Sequence, residues 1–208
     1  MERQDAGSEI GGYMPVKAPI KWIEVKRELN ALSQPELIEL VKNLFDQSHE
    51  NKLFLASRFS SQPLGEDAIA PYRKRIVDQF FPTRGFGKLG LAEARKAIRE
   101  YKKATSDLLG TAELMMVYVE QGTEFTNTYG DIDEVFYNSM ESVLAELVKL
   151  LSSPQGRVLY PVFSERLSEL EHDAGDIGWG YGDEVSRMVE EFEKAMSTDG
   201  EATLDDEE

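Results

Sequence analysis

The spacing of apolar residues constrains the fold of this chain more than any other feature of its sequence. Between residues 132 and 151, apolar side chains recur every three or four positions, which is typical of the buried stripe of a helix of about five turns. The members of this stripe are Ile132, Val135, Phe136, Met140, Val143, Leu144, Leu147, Leu150 and Leu151. Asp131 followed by Glu134 predicts an N-terminal capping box for this helix.

The same period recurs along most of the chain and predicts about eight helices. Ser33 and Ser48 are placed as N-caps, and Pro35 falls in the first turn of the helix that follows Ser33. Residues 112–119 are apolar on nearly all sides, which predicts a central helix. Because the links are short, we predict an all-α fold, either a bundle or an array of helical hairpins.

The two ends of the chain differ from the part between them. Residues 1–19 contain several Gly and Pro without apolar periodicity, which predicts a flexible N-terminal arm. Half of residues 197–208 are acidic and the segment has no apolar face, which predicts a disordered tail. We expect residues 20–196 to form one helical domain.

Composition narrows the classes of function. The chain has no Cys, which excludes disulfides, thiolate nucleophiles and metal clusters held by Cys. Its 39 acidic and 23 basic residues give a formal charge of -16, which argues against a surface that binds nucleic acid over its whole extent. The start of the chain lacks a signal-peptide pattern, and no stretch approaches the roughly 20 apolar residues of a membrane span. We therefore expect a cytoplasmic protein without membrane contact.

The charge is unevenly distributed along the chain. Residues 72–103 hold ten bases and three acids, whereas residues 104–208 hold five bases and 25 acids. Such asymmetry predicts docking surfaces. We expect the partner to be another protein or a second copy of this chain, and we expect nucleic acid, if it binds at all, to use residues 72–103.

A glycine-rich segment lies within the basic region. Residues 85–90 match the G-x-G-x-x-G pattern of dinucleotide sites, but the residues before them read as the end of a helix rather than a strand. A looser hypothesis is that this loop leads into a helix start that binds a phosphate or a carboxylate. The candidate anion- or partner-binding residues here are Arg84, Gly85, Gly87, Lys88, Arg95 and Arg99. The alternative is that these bases pair with acids of the same chain.

A second glycine-rich loop, residues 173–184, contains Trp179 and Tyr181 between glycines. These two aromatic residues are candidates for anchoring a partner, with a role in closing the core as the alternative. The loop has the length of a calcium loop, but Gly175 and Ile177 occupy positions that need side-chain oxygens.

The sequence assigns no catalytic residue, metal ligand or cofactor. Glu169 and His172 have the E-x-x-H spacing of di-iron bundles, but the second pair that such a site needs is lacking, because Ser48 beside His49 is placed as a helix cap. No nucleophile-elbow, zinc-protease or phosphate-loop motif is present. The motifs leave open whether the protein is an enzyme.

Several segments resemble an uncharacterised bacterial all-helical family, a domain of unknown function. The resemblance lies in residues 80–87 and 92–98, in residues 119–122 and 129–133, and in residues 178–184. It spans about Val25 to Phe192. It implies one helical domain and supplies no catalytic residues.

Together these features predict a non-catalytic cytoplasmic interaction module with a basic patch beside a strongly acidic half. Two alternatives stay open at this point. The first is an acidic mimic of nucleic acid, which requires rows of carboxylates spaced like phosphates. The second is a protein that binds a phosphate-bearing ligand at the loop that begins with Gly85.

Overall fold

The computed structural model describes residues 21–59 and 64–202 of the 208-residue chain. These residues contain nine α-helices, one short 3-10 helix and no strand, which confirms the predicted all-α fold. The helices are α1 Trp22–Leu29, α2 Gln34–Gln47, α3 His49–Phe59, α4 Glu66–Phe80, α5 Leu91–Thr105, α6 Leu108–Tyr129, α7 Glu134–Leu151, α8 Tyr160–Ala174 and α9 Tyr181–Ala202. The predicted arm, residues 1–19, lies outside the described residues.

The described residues fall into two compact units, one that ends at Leu44 and one that begins at Phe45. The division has a physical basis, because neither α1 nor α2 contains a buried side chain. That residues 20–196 form one domain stays a prediction. The core lies in the second unit. Helix α9 continues to Ala202, into the segment for which the sequence predicts a disordered tail.

Helix α6 is the centre of the second unit, as its all-round apolar sequence predicts. Every residue from Leu114 to Val119 is buried, and the helix packs against α4, α5, α7 and α8. A helix that is apolar on all sides must be covered on all sides. These four helices are therefore arranged around α6, whereas α3 packs on α5 and α9 packs on α7 and α8.

Helix α4 runs parallel to α6 and antiparallel to α5. Phe80, at the end of α4, packs 6.4 Å from Phe125 near the end of α6, while Arg73 lies 3.4 Å from Glu113 near its start. Leu89, just before α5, donates its amide to the carbonyl of Gln79 at 2.9 Å. The end of α4 and the start of α5 therefore share one end of the bundle.

Helices α7, α8 and α9 continue this pattern, in which each helix runs antiparallel to the one before it in the chain. Asn127, near the end of α6, donates to the carbonyl of Asp173 at the end of α8. Tyr137, in the first turn of α7, packs 5.3 Å from Tyr181 at the start of α9. The loops with residues 82–90, 130–133 and 175–180 therefore lie at the same end of the bundle, which we call the loop end.

The helix caps are partly those that the sequence predicts. The hydroxyl of Ser48 accepts the amide of Asn51 at 3.1 Å, which confirms Ser48 as a cap. The prediction that Asp131 caps α7 is wrong, since the N-cap is Asp133, whose carboxylate accepts the amide of Phe136 at 2.8 Å. Asp131 instead accepts the hydroxyl of Tyr137 at 3.1 Å, so its carboxylate is used in a contact between side chains.

A half-buried ion-pair network connects α4, α6 and α8. Arg166 on α8 makes a bidentate contact to Glu120, with both nitrogen–oxygen distances at 2.7 Å, and a further contact to Glu113. Glu113 also pairs with Arg73 on α4. Burial lowers the pKa of Arg166, but the hydrogen bonds to the two glutamates outweigh it and raise the pKa above its ordinary value. Arg166 therefore stays charged and fixes α8 against α6.

Replacement of Arg166 by Met is expected to lower the free energy of unfolding by about 2 kcal/mol, or the melting temperature by roughly 4–8 °C, because Glu113 and Glu120 lose their half-buried partner. The matched control is Arg187→Met, since Arg187 also contacts two glutamates but its side chain is 52% exposed. The control is expected to change stability by less than about 0.5 kcal/mol. Equal losses in thermal unfolding of the two variants would contradict this account.

Candidate functional site

The basic segment of residues 72–103 separates into two groups of side chains. Five of its ten bases form ion pairs with acids of the chain. These are Arg73, Lys74, Arg75, Arg95 and Lys96. Half of the bases in this segment therefore pair with acids of the same chain, which was the alternative to binding a partner.

Arg95 is a predicted binding residue whose side chain is paired within the chain. Its guanidinium donates to the hydroxyl of Ser142 at 3.2 Å and to the carboxylate of Glu146 at 3.0 Å, both on α7. These contacts direct Arg95 along the flank of α5 that faces α7. Arg95 therefore serves the packing of the bundle, and we leave it out of the candidate surface.

The other five bases are exposed to solvent, and one of them, Lys103, lines a groove with Glu50 and Phe54 of α3. Arg84, Lys88, Arg99, Lys102 and Lys103 are exposed, and none of them has an ion-pair or hydrogen-bond partner for its side chain in the described part of the chain. We call these five residues the basic surface.

The geometry of α5 accounts for this arrangement. At about 100° per residue, the last three bases of the basic surface fall within roughly a third of the helix circumference, opposite the buried stripe. That stripe contains Ala94, Ala97, Ile98, Tyr101, Ala104 and Thr105. Lys102 and Lys103 were not among the site residues predicted from the sequence. They follow Arg99 by three and four residues, and this spacing predicts that the three bases share one face of the helix.

The loop before α5 is held by its glycines rather than shaped around a ligand. Gly87 packs so closely on the end of α4 that an added Cβ would overlap the carbonyl oxygen of Phe80 and lie 2.7 Å from that of Gln79. Gly85 has a φ of +79°, which favours glycine. The amide of Leu89 is already bonded to the carbonyl of Gln79. Gly85 and Gly87 therefore set the course of the loop, and the flanking bases are its exposed groups.

Phe86 is an exposed aromatic side chain at the tip of this loop. It lies between Gly85 and Gly87, with Arg84 and Lys88 one residue further out on either side, and is 84% exposed. Large aromatic residues in such positions anchor many protein interfaces. Phe86 was not among the residues predicted from the sequence, because residues 85–90 were interpreted only through their glycines and the bases beside them.

The structure separates the two aromatic candidates of the second loop. Tyr181 is fully buried, and its hydroxyl lies 2.8 Å from that of Thr123 on α6. Burial raises the pKa of Tyr181, partly offset by this hydrogen bond. Tyr181 is therefore a core residue and cannot contact a partner. Trp179 is 61% exposed and stacks at 6.4 Å on Tyr137, so of these two candidates Trp179 is the accessible one.

The acidic half contains an open groove of about 570 Å³ between α7 and α9. Glu141 lies in this groove, where burial and, to a lesser extent, the charge of Glu184 raise its pKa. Glu184 pairs with Arg187, which also contacts Glu191. The carboxylates of α9 are therefore interleaved with a base rather than arranged in an unbroken row.

Among the described side chains, no group of three or more His, Asp or Glu is placed to hold a metal ion, and His172 is exposed on α8. No helix within residues 21–59 and 64–202 is long and apolar enough to cross a membrane.

Substitution of Gly87 by Ala is expected to lower the free energy of unfolding by about 2 kcal/mol, because the new methyl group meets backbone carbonyls that cannot rotate away. The control is Gly65→Ser, where an added Cβ has nothing within 4 Å and serine suits the N-cap of α4. Thermal unfolding measures both variants. A Gly87→Ala protein as stable as the wild type would show that the loop is not held against α4.

Comparison with known proteins gives one match. No curated protein and no solved structure matches the chain. The match is to the model of a family of unknown function, DUF6155, over residues 21–193. These bounds are close to the span from Val25 to Phe192 over which the sequence resembles a family of unknown function. Since the match covers most of the chain, this protein belongs to that family.

Proposed function

We propose that this protein is a non-catalytic cytoplasmic interaction module that binds an acidic segment of another protein through the basic surface and Phe86. One observation carries the proposal. In a chain with 39 acids and 23 bases, five neighbouring bases have no acid partner among the residues that the structure describes, while the other five bases of residues 72–103 are paired. A base in such a chain has an excess of acids to pair with, so a cluster of unpaired bases favours an external acidic partner.

The expected strength of binding follows from the contacts. Exposed ion pairs contribute about 0.2–1 kcal/mol each, so the five bases supply on the order of 1–5 kcal/mol. Burial of a Phe side chain such as Phe86 adds roughly 1.5–3 kcal/mol. After the cost of association this gives modest affinity, in which charge sets rate and specificity and the aromatic ring provides the anchor.

The geometry of α5 favours an extended or helical acidic segment over a small ligand. The helix has 15 residues and is therefore about 22 Å long at 1.5 Å per residue, with bases near both of its ends. The interleaving of Arg187 among the acids of α9 gives no support to a nucleic-acid mimic. In the loop at Gly85, the amide of Leu89 is bonded to the carbonyl of Gln79, which takes up one donor that a phosphate would use. We therefore place the acidic-protein hypothesis first.

The test is fluorescence anisotropy with a labelled Glu- and Leu-rich peptide of about 20 residues, long enough as a helix to span α5. We expect salt-sensitive binding that Arg84→Glu/Lys88→Glu/Arg99→Glu weakens by roughly 10–100-fold, because three favourable pairs become repulsive. Phe86→Ala is expected to weaken binding by about tenfold without a change in salt dependence.

The control is Lys149→Glu/Arg187→Glu/Lys194→Glu, which changes the net charge equally on α7 and α9. It is expected to bind the peptide within about threefold of the wild type. Equal losses in both triple variants, or no peptide binding at low salt, would contradict the proposal. Displacement of the peptide by inorganic phosphate would favour the phosphate-ligand alternative, and tighter binding to single-stranded DNA would favour nucleic acid.

A further inference from the structure

Helix α2 exposes a continuous apolar face. On a helical projection, Leu37, Ile38, Leu40, Val41 and Leu44 fall within an arc of about 160°, and the opposite side is polar. Ile38 is 62% exposed, and neither α1 nor α2 has a buried side chain. In α1, Trp22 and Ile23 are exposed to a similar degree.

Two short helices with exposed apolar side chains are not stable unless another surface packs against those side chains. Helix α1 has 8 residues and α2 has 14, whereas isolated helices shorter than about 12–15 residues are marginal in water. Most of the stability of a surface helix comes from packing of its apolar face. The structure of residues 22–47 therefore implies a partner surface for α2.

Charge favours a second copy of this chain as that partner. Residues 21–44 carry four bases and four acids, so their net charge is zero in a chain of formal charge -16. The acidic half, residues 104–208, repels the same half of a second copy. The N-terminal unit is a part of the chain through which copies can approach without this repulsion.

We propose that the protein self-associates through α2, with the apolar face of one copy packed on the same face of a second copy. Such a two-fold contact is self-complementary, since each copy supplies the same residues. The spacing of Leu37, Leu40, Val41 and Leu44 is that of the seam between two packed helices. This inference does not depend on the proposed function, because it uses a different unit and apolar rather than charged contacts.

The area available sets the strength of the dimer. A helix of 14 residues is about 21 Å long, and two such helices with the adjacent α1 bury less than the roughly 1,600 Å² of a standard interface. The dimer is therefore weak and populated at high concentration. Its apolar character makes it insensitive to salt, or stronger at high salt.

Sedimentation velocity of the full chain tests this inference at concentrations up to about 500 µM, where even a weak interface is populated. We expect a reversible dimer that persists at high salt. Ile38→Ala/Val41→Ala is expected to weaken it at least about tenfold, because two apolar contacts per copy are trimmed while Ala keeps the helix intact. Circular dichroism checks that the helix content is unchanged.

The matched control is Val135→Ala/Val158→Ala, which trims two exposed apolar side chains of the second unit. We expect this variant to dimerise like the wild type. A wild-type monomer at all concentrations would overturn the proposal, and so would a dimer that tolerates Ile38→Ala/Val41→Ala. A dimer that salt dissociates would assign association to the charged surfaces instead.

The fluorescence of Trp22 provides a second readout. The chain has two Trp, so a Trp179→Phe background leaves Trp22 as the sole reporter beside α2. We expect its emission to shift to shorter wavelength as the dimer forms and to return on dilution. Emission at short wavelength at every dilution would show that the same chain covers the face, and this too would overturn the proposal.

Discussion

The fold depends on the coverage of one helix, α6, which is apolar on every side. Burial of roughly 25 cal/mol per Å² of apolar surface drives α4, α5, α7 and α8 to pack around it. Their alternating directions bring three loops to one end of the bundle and leave the outer face of α5 in solvent. The half-buried contacts of Arg166 with Glu113 and Glu120 then fix the register of α8.

The same packing decides which bases are available for binding. The paired bases of α4 and α5 meet acids of a neighbouring helix, as Arg75 meets Glu93 and Glu100, or of their own helix, as Lys96 meets Glu100. The five bases of the basic surface meet no acid in the described chain. The presence of an acid within reach, rather than the count of charges in residues 72–103, therefore separates structural bases such as Arg95 from those that we propose bind a partner. Arg95 lies four residues before Arg99 on the same face of α5, but it reaches Glu146 on α7.

Much of this fold follows from the sequence, because three- and four-residue spacing is a local signal. The central helix and the cap at Ser48 were predictable for that reason. That Asp133 rather than Asp131 caps α7 was not predictable, since Asp131 is engaged by Tyr137 in a contact that forms only in the folded chain. For the candidate site, sequence reasoning found the basic loop and Trp179, but burial of Tyr181 and pairing of Arg95 depend on tertiary neighbours. It also missed the exposure of Phe86.

The most direct test of the central claim is NMR of the arginine side-chain Nε–Hε groups in the free protein and with the acidic peptide. The account predicts slow exchange with water and restricted motion for Arg95 and Arg166 in the free protein. It predicts rapid exchange for Arg84 and Arg99, which the peptide slows. Restricted signals of Arg84 and Arg99 in the free protein, or signals that the bound peptide leaves unchanged, would contradict it.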